Sequence, residues 1–117
     1  MNCHSRWKAG LCSVLMLSGA AFAEKNDEAM IDLAWESGCF NCHDLDKPLR
    51  GPSWRDVAER YRDDDEALSR LVVTVRDGGS GNWGEERMTP NRRVAEEEIE
   101  RLVSWLLTLD ARDETAD

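Results

Sequence analysis

The feature that most constrains this 117-residue sequence is the pentapeptide Cys39-Phe40-Asn41-Cys42-His43. Two cysteines separated by two residues and followed at once by a histidine form the pattern of covalent haem attachment. Each thiol can add across one vinyl group of the haem, and the two-residue spacer makes one helical turn that matches the separation of the vinyls. His43 then faces the iron. We therefore predict one covalently bound haem c, with His43 as a ligand of its iron.

Three other interpretations of the cysteine pair are possible. A thioredoxin-like dithiol would lie beside a βαβ unit, but no stretch of the sequence alternates in the manner of a strand. A zinc knuckle would want four nitrogen or sulfur ligands, and beyond residue 23 the chain offers only two cysteines and one histidine. A structural disulfide would suit an exported protein. The adjacent histidine is what distinguishes the haem pattern from that disulfide.

The amino-terminal segment predicts export. Arg6 and Lys8 form a short positive region, residues 9–22 carry no charge, and Ala21-Phe22-Ala23 gives the small-x-small site that signal peptidase needs. A membrane anchor is the alternative, but about 14 apolar or small residues fall short of the roughly 20 that span a bilayer. We predict that residues 1–23 are a cleavable signal peptide and that residues 24–117 form one periplasmic domain without a membrane span.

The charge of the predicted mature chain limits its partners. Loss of Arg6 and Lys8 leaves 13 basic and 24 acidic residues, a net charge of −11 over 94 residues. So acidic a surface argues against nucleic acid and anionic lipid as partners. A chain of this length also builds only a marginal core by itself, which a bound cofactor would complete.

Apolar residues recur at helical spacing in four segments, and we predict an all-α domain. Gly38 suits the end of the first helix, and the spacing of Ser53 to Asp56 is a capping box with Asp in place of Glu. Two long loops remain, and a compact domain seldom carries so much irregular backbone unless it wraps something. The helices are predicted at about 27–37, just after Ser53, at about 64–77 and at about 95–109, with the loops at 44–52 and 78–94.

The second axial ligand of the iron is predicted to be Met88. His43 is the only histidine beyond residue 23, which excludes ligation by two histidines of one chain, and methionine is the usual alternative. Met30 lies on the apolar face of the first predicted helix and is expected in the core. Met88 lies in a loop and is followed by Pro90, which can fix the backbone that presents the sulfur. The alternative for Met88 is a packed or merely exposed side chain.

This ligand pair predicts a flat apolar slot. An iron needs about 2.0 Å to nitrogen and about 2.3 Å to sulfur, taking zinc distances as proxies, so Nε2 of His43 and the Met88 sulfur should lie roughly 4 to 5 Å apart. One edge of the slot, near Cys39 and Phe40, should open to solvent, because electrons need an exit. The predicted lining residues are Val57, Leu68, Leu71 and Trp83.

Over nearly all of residues 31–109 the sequence resembles the small bacterial class I cytochromes c. The resemblance implies the cytochrome c fold, with four helices and two long loops wrapped around one haem. Five motifs in the same order carry it: Cys39-Phe40-Asn41-Cys42-His43, Gly51-Pro52-Ser53-Trp54, Gly78-Gly79-Ser80-Gly81-Asn82-Trp83-Gly84, Met88-Thr89-Pro90-Asn91 and Val103-Ser104-Trp105-Leu106.

The resemblance implies a role for each matching residue. Pro52 would offer its carbonyl to the ring N–H of His43 and so strengthen the bond to iron. Trp83 would donate its indole N–H to a haem propionate, the alternative being a buried tryptophan with another acceptor. Asn91 would hydrogen-bond near the Met88 sulfur. Trp54 and Trp105 would pack around the haem and the helix crossing.

Two positions depart from the family pattern. Ala95 stands where relatives often have a Ser or Thr N-cap, although Glu96, Glu97 and Glu98 can interact with the helix dipole instead. Thr74 stands where relatives often place a basic residue toward a propionate. Arg76 or Arg50 could substitute for that residue.

The predicted ligands favour an electron carrier over an enzyme. With both axial positions filled, no site is left for oxygen or peroxide, and methionine raises the reduction potential. The first hypothesis is a shuttle between a quinol-oxidising complex and a terminal oxidase or reductase. The second is a dedicated electron acceptor or subunit of one periplasmic dehydrogenase. The third is a haem enzyme or gas sensor in which Met88 is displaced, for which the chain offers no second histidine.

Overall fold

The structure, a computed structural model, describes residues 19–110, with side chains from residue 25 onward. Most of the predicted signal peptide, residues 1–18, lies outside the described residues, as does the end of the acidic tail, residues 111–117. The boundary at residue 23 therefore stays a prediction. None of the helices within residues 19–110 is both long enough and apolar enough to cross a membrane.

The described part of the chain is mainly helical, and the prediction of an all-α domain with four helices is confirmed. The first helix begins earlier than predicted, the second follows Ser53, and the last two begin and end within about three residues of the predicted bounds. The helices are α1 (Gly19–Glu36), α2 (Trp54–Arg60), α3 (Ala67–Asp77) and α4 (Glu96–Leu106), and a single 3₁₀ turn spans Cys39–Asn41.

Local sequence accounts for where α2 and α4 begin. The hydroxyl of Ser53 accepts a hydrogen bond from the Asp56 N–H at 3.1 Å, so the predicted N-cap of α2 is present. Ala95 is the N-cap of α4 and makes no side-chain hydrogen bond, because its methyl group has no acceptor atom. The three glutamates of the first turn place negative charge at the positive end of the helix dipole, which offsets part of the missing cap.

The second loop is predicted to be irregular, but the structure shows a short hairpin within it. Strand β1 (Gly79–Gly81) pairs antiparallel with β2 (Gly84–Met88), with Gly79 opposite Met88. The turn is possible because Gly81 and Gly84 have φ of +103° and +100°, where a side chain is strained. The five-residue strand shows no apolar alternation, since Gly84, Glu85, Glu86 and Arg87 are all exposed. Met88, at its end, is the one residue of this strand that is partly buried.

Two groups of buried side chains form the core and set the floor of the site. Where α1 and α4 cross, the indole N–H of Trp105 donates a hydrogen bond to the Asp27 carboxylate at 2.7 Å. Met30 is only 2% exposed, as predicted for a core residue. The larger group consists of Met30, Ala34, Trp54, Val57, Leu102, Trp105 and Leu106, and the smaller one of Val72, Ile99 and Val103.

Candidate haem site

The attachment motif forms one tight turn directly after α1. Gly38 has φ of +76°, a conformation that lets the chain leave the helix and that other residues adopt only with strain. The N–H groups of Cys42 and His43 then both donate to the carbonyl of Cys39, at 3.2 and 3.0 Å. This single turn brings the two cysteines and the histidine to the same wall of one cavity.

Cys39 and Cys42 are not joined to each other, so the structure does not support the disulfide interpretation. Burial raises the pKa of the Cys39 thiol above its ordinary value, so the group keeps its proton at neutral pH. Redox-active dithiols need a cysteine with a lowered pKa. Attachment to haem, in contrast, is a net addition of S–H across a carbon–carbon double bond and needs no second thiol as a redox partner.

His43 is held by one hydrogen bond in the orientation that a metal ligand needs. Its Nδ1 lies 2.8 Å from the Pro52 carbonyl, which confirms the predicted contact. Because a carbonyl oxygen can only accept, Nδ1 carries the proton and the lone pair of Nε2 is left for a metal. The loop that brings Pro52 there is closed by the Gly51 N–H, which donates to the Cys42 carbonyl at 2.8 Å.

Gly51 lies directly against the His43 ring. A Cβ at this position would stand 2.4 Å from Cε1 and 2.7 Å from Nδ1 of the imidazole. Only a residue without a side chain therefore lets the ring lie flat beside this loop while Pro52 holds its edge.

We predict that Gly51→Ala displaces the His43 ring. The added methyl group would break the bond to Pro52, and overpacking of this kind costs about 1–3 kcal/mol. The expected result is a lower midpoint for guanidinium chloride unfolding of the ferric holoprotein. Gly79→Ala is the control, because its Cβ would only be in ordinary contact with Thr74, at 4.0 Å. Equal unfolding midpoints for Gly51→Ala and the wild type would contradict this packing.

The Met88 loop is fastened to the end of α3 by the backbone. A Cβ on Gly78 would stand 2.6 Å from the Met88 carbonyl, so a glycine is required for this close approach. The Asn91 amide donates to the carbonyls of Val75 and Thr89, both at 3.1 Å. These two bonds join the loop to α3 beside Met88, so Asn91 positions the loop that carries Met88. A hydrogen bond of Asn91 near the Met88 sulfur stays a prediction.

One cavity of about 260 Å³ is lined by all seven residues that are predicted to bind or contact the cofactor. Val57 and Leu71 line it as predicted, whereas Leu68 packs against the core group of Val72, Ile99 and Val103. Helical periodicity predicts that Leu68 belongs to the apolar stripe of α3, but it does not separate the part of that stripe that faces the cavity from the part that faces the core. The predicted site residues along the cavity wall are Cys39, Cys42, His43, Pro52, Trp83, Met88 and Asn91.

A second depression, of about 520 Å³, lies between α1 and α4 away from the attachment motif. Its lining contains no histidine or cysteine, so the histidine and cysteine donors all line the first cavity. Within residues 25–110 no group of three or more His, Cys, Asp and Glu side chains could hold a metal ion, as a zinc knuckle would require.

Trp83 lies in the turn of the hairpin and lines the cavity. Its side chain is 40% exposed at the edge of the cavity. The Arg60 guanidinium lies 4.5 Å from its ring centroid and donates to the Asn82 carbonyl at 2.5 Å. Sequence reasoning missed Arg60, because no local pattern connects α2 with the hairpin. Donation from the indole to a propionate stays a prediction.

Positive charge at the cavity comes from the loops. Arg50 lines the cavity and pairs with Glu86 at 2.6 Å, and Arg87 of β2 lines it as well. Arg76, the other residue considered as a substitute for Thr74, pairs instead with Asp77 and Glu96. Of the two arginines considered from sequence, Arg50 is therefore the one that reaches the site.

The donor set fits haem c. Two thiols one turn apart match two thioether bonds, His43 presents a free Nε2, and Met88 adds a thioether sulfur to the same cavity. Apolar side chains of α2, α3 and α4 supply the walls that a flat macrocycle needs, namely Trp54, Val57, Leu71, Val75, Leu102, Val103 and Leu106.

Comparison with known proteins points the same way. The family model for cytochrome c matches residues 31–110. The chain is 47% identical to cytochrome c-551 of Allochromatium vinosum over 77 residues, which cover 66% of this chain and 82% of that protein. It is 35% identical to cytochrome c-552 of Nitrosomonas europaea over 97 residues, or 83% of this chain and 88% of that one.

Solved structures share the fold. The crystal structure of wild-type cytochrome c552 from Nitrosomonas europaea superposes with a TM-score of 0.66 at 36% identity, covering 68% of this chain and 99% of that one. The class 1 cytochrome MtoD from Sideroxydans lithotrophicus gives a TM-score of 0.58 at 35% identity, covering 70% and 94%. The predicted cytochrome c fold is thereby confirmed.

Proposed function

The chain belongs to the cytochrome c family and carries covalently bound haem c, and we propose that it is a monohaem electron carrier with His43 and Met88 as axial ligands. The observation that carries the proposal is the single cavity lined by Cys39, Cys42, His43 and Met88. The attachment turn forms one side of it, and the loop anchored by Asn91 brings the methionine to it.

The chain's own residues do three things in this function. Bound haem iron supplies reversible exchange of one electron. His43, oriented through Pro52, offers a nitrogen ligand whose basicity the hydrogen bond increases. Met88 offers a soft sulfur that favours the reduced iron. The packed side chains of α2 and α4 exclude water, which limits solvent reorganisation when the charge changes.

We further propose that the mature protein comprises residues 24–117 and works in the periplasm. The signal-like segment supports this location, and the acidic chain supports partners with basic docking faces. These partners are redox proteins, such as a quinol-oxidising complex, a terminal oxidase or reductase, or a dehydrogenase. Ligation by two side chains leaves no iron site for a substrate, which supports a carrier rather than an enzyme.

The proposal predicts that the holoprotein accepts one electron and does not bind carbon monoxide at its iron. A potentiometric titration followed by visible absorbance should give one reversible one-electron transition. The spectrum of the reduced protein should not change when carbon monoxide is added, because both axial positions are filled. A carbon monoxide complex of the wild-type protein at neutral pH would instead indicate an open iron and favour the enzyme or sensor hypothesis.

A further inference from the structure

Trp35 is the most exposed large apolar side chain among the described residues, at 65% exposure near the end of α1. An indole this open to water is unfavourable for an isolated monomer, since aromatic surface gains free energy when it is buried. Its ring makes an edge contact with Phe40, between the two attachment cysteines, at a centroid distance of 5.0 Å. Trp35 therefore lies beside the attachment turn rather than at a remote part of the surface.

Ring contacts continue from this surface to the iron ligand. Phe40 lies 5.1 Å from Trp54, and Trp54 lies 6.0 Å from His43, measured between ring centroids. A protein that covers Trp35 is thus connected to His43 through a continuous series of aromatic ring contacts. Because electronic coupling falls steeply with distance and with gaps in the packing, this is a favourable place for a redox partner to dock.

The charges around Trp35 indicate the chemistry of that partner. Glu28 and Asp32 share the face of α1 with Trp35, since residues three and seven apart lie on the same side of a helix, and Glu36 lies beside this face, four residues from Asp32. All three acidic residues are exposed. Lys25 lies on this face too, but nearly three turns from Trp35. The acidic side chains nearest the indole are therefore not neutralised by a basic residue of the same helix.

We infer that the α1 face formed by Glu28, Asp32, Trp35 and Glu36 is the docking surface for a redox protein whose own face has Lys and Arg side chains around an apolar centre. The inference rests on the proposed carrier function. The indole would supply the desolvated anchor, and the carboxylates would supply steering and orientation. The interaction should weaken as salt is added, because these charges are exposed to solvent.

The test uses the reduced holoprotein and two one-electron oxidants of opposite charge. Tris(phenanthroline)cobalt(III) is a trivalent cation with aromatic edges, and hexacyanoferrate(III) is an anion. In each reaction the ferrous haem loses one electron, and cobalt(III) or iron(III) of the reagent gains it. At low ionic strength, E28Q/D32N/E36Q should slow the cobalt reaction by about fivefold or more. Trp35→Ala should slow it as well, whereas neither variant should slow hexacyanoferrate(III).

Two control variants separate this surface from general effects. D63N/D65N/E100Q removes the same three charges from other exposed positions, and Val73→Ala truncates another exposed apolar residue, at 46% exposure. Both should react with the cobalt complex within about twofold of the wild-type rate. Equal slowing in the two triple variants would mean that only net charge matters, and would overturn the docking surface.

A second readout does not depend on electron transfer. Hexaamminechromium(III), a paramagnetic and redox-inert trivalent cation, should broaden the Trp35 indole N–H signal of the reduced wild-type protein, but not that of E28Q/D32N/E36Q. Unselective broadening across the surface would contradict the inference. Failure of the wild-type protein to reduce either oxidant would instead count against the carrier function itself, so the two failures can be told apart.

Discussion

The double variant Cys39→Ala/Cys42→Ala will retain essentially no covalent haem, and each single variant will retain at most one thioether bond. The attachment turn presents both thiols to one cavity, and no other cysteine in residues 25–110 can replace them. Since the small core is completed by the cofactor, we also expect the double variant to accumulate poorly. Extraction into acidified organic solvent measures the effect, because haem held by thioether bonds stays with the protein.

Intact mass gives a second measure of attachment. Addition of a thiol across a vinyl group loses no atoms, so the wild-type mass should equal that of residues 24–117 plus one complete haem. The same value tests the predicted signal-peptide boundary. Asn41→Ala is the matched control, because Asn41 is exposed between the two cysteines and supplies no attaching atom. Haem that extracts freely from the purified wild-type protein would contradict attachment at this motif.

Replacement of Met88 by alanine will open the iron without releasing the haem. The two cysteines and His43 remain, so the cofactor stays attached, but the sixth position becomes free for carbon monoxide in the reduced protein. The Met88 sulfur favours reduced iron, so its loss should lower the reduction potential by on the order of 100 mV. This change is within the roughly 0.8 V range that axial ligands span. Visible spectra with carbon monoxide and a potentiometric titration measure the two effects.

Met30 provides the control for this experiment, since the described residues contain it as the other methionine. It is 2% exposed in the core between α1 and α4, and Met30→Leu conserves volume, so it should cost less than about 1.5 kcal/mol. Its spectrum and potential should match those of the wild type. If Met88→Ala instead kept the wild-type spectrum, Met30 or a ligand from outside the chain would hold the sixth position.

Much of this molecule is predictable from short stretches of sequence because near neighbours determine those features. Apolar spacing identified four helices, and the Ser53-to-Asp56 spacing identified the start of α2. The attachment motif needs one turn of backbone, and that turn is present at Cys39–Asn41. The Pro52–His43 bond spans nine residues and came from a family resemblance rather than from a local pattern.

The sequence by itself determined the kind of cofactor and the helical class, since each depends on residue type and local spacing, whereas Pro52, Trp83 and Asn91 are expected at the cavity only from the family resemblance. Only the tertiary structure decided which distant groups meet. The Asn91 amide joins the methionine loop to Val75 of α3, Arg60 crosses to the hairpin 22 residues away, and Trp35 stays at the surface. Such contacts depend on how the packed helices orient the loops between them. Each polar or aromatic side chain also has several possible partners, and the alternative contacts are similar in strength. Local patterns carry no information on which of these competing contacts the packing allows.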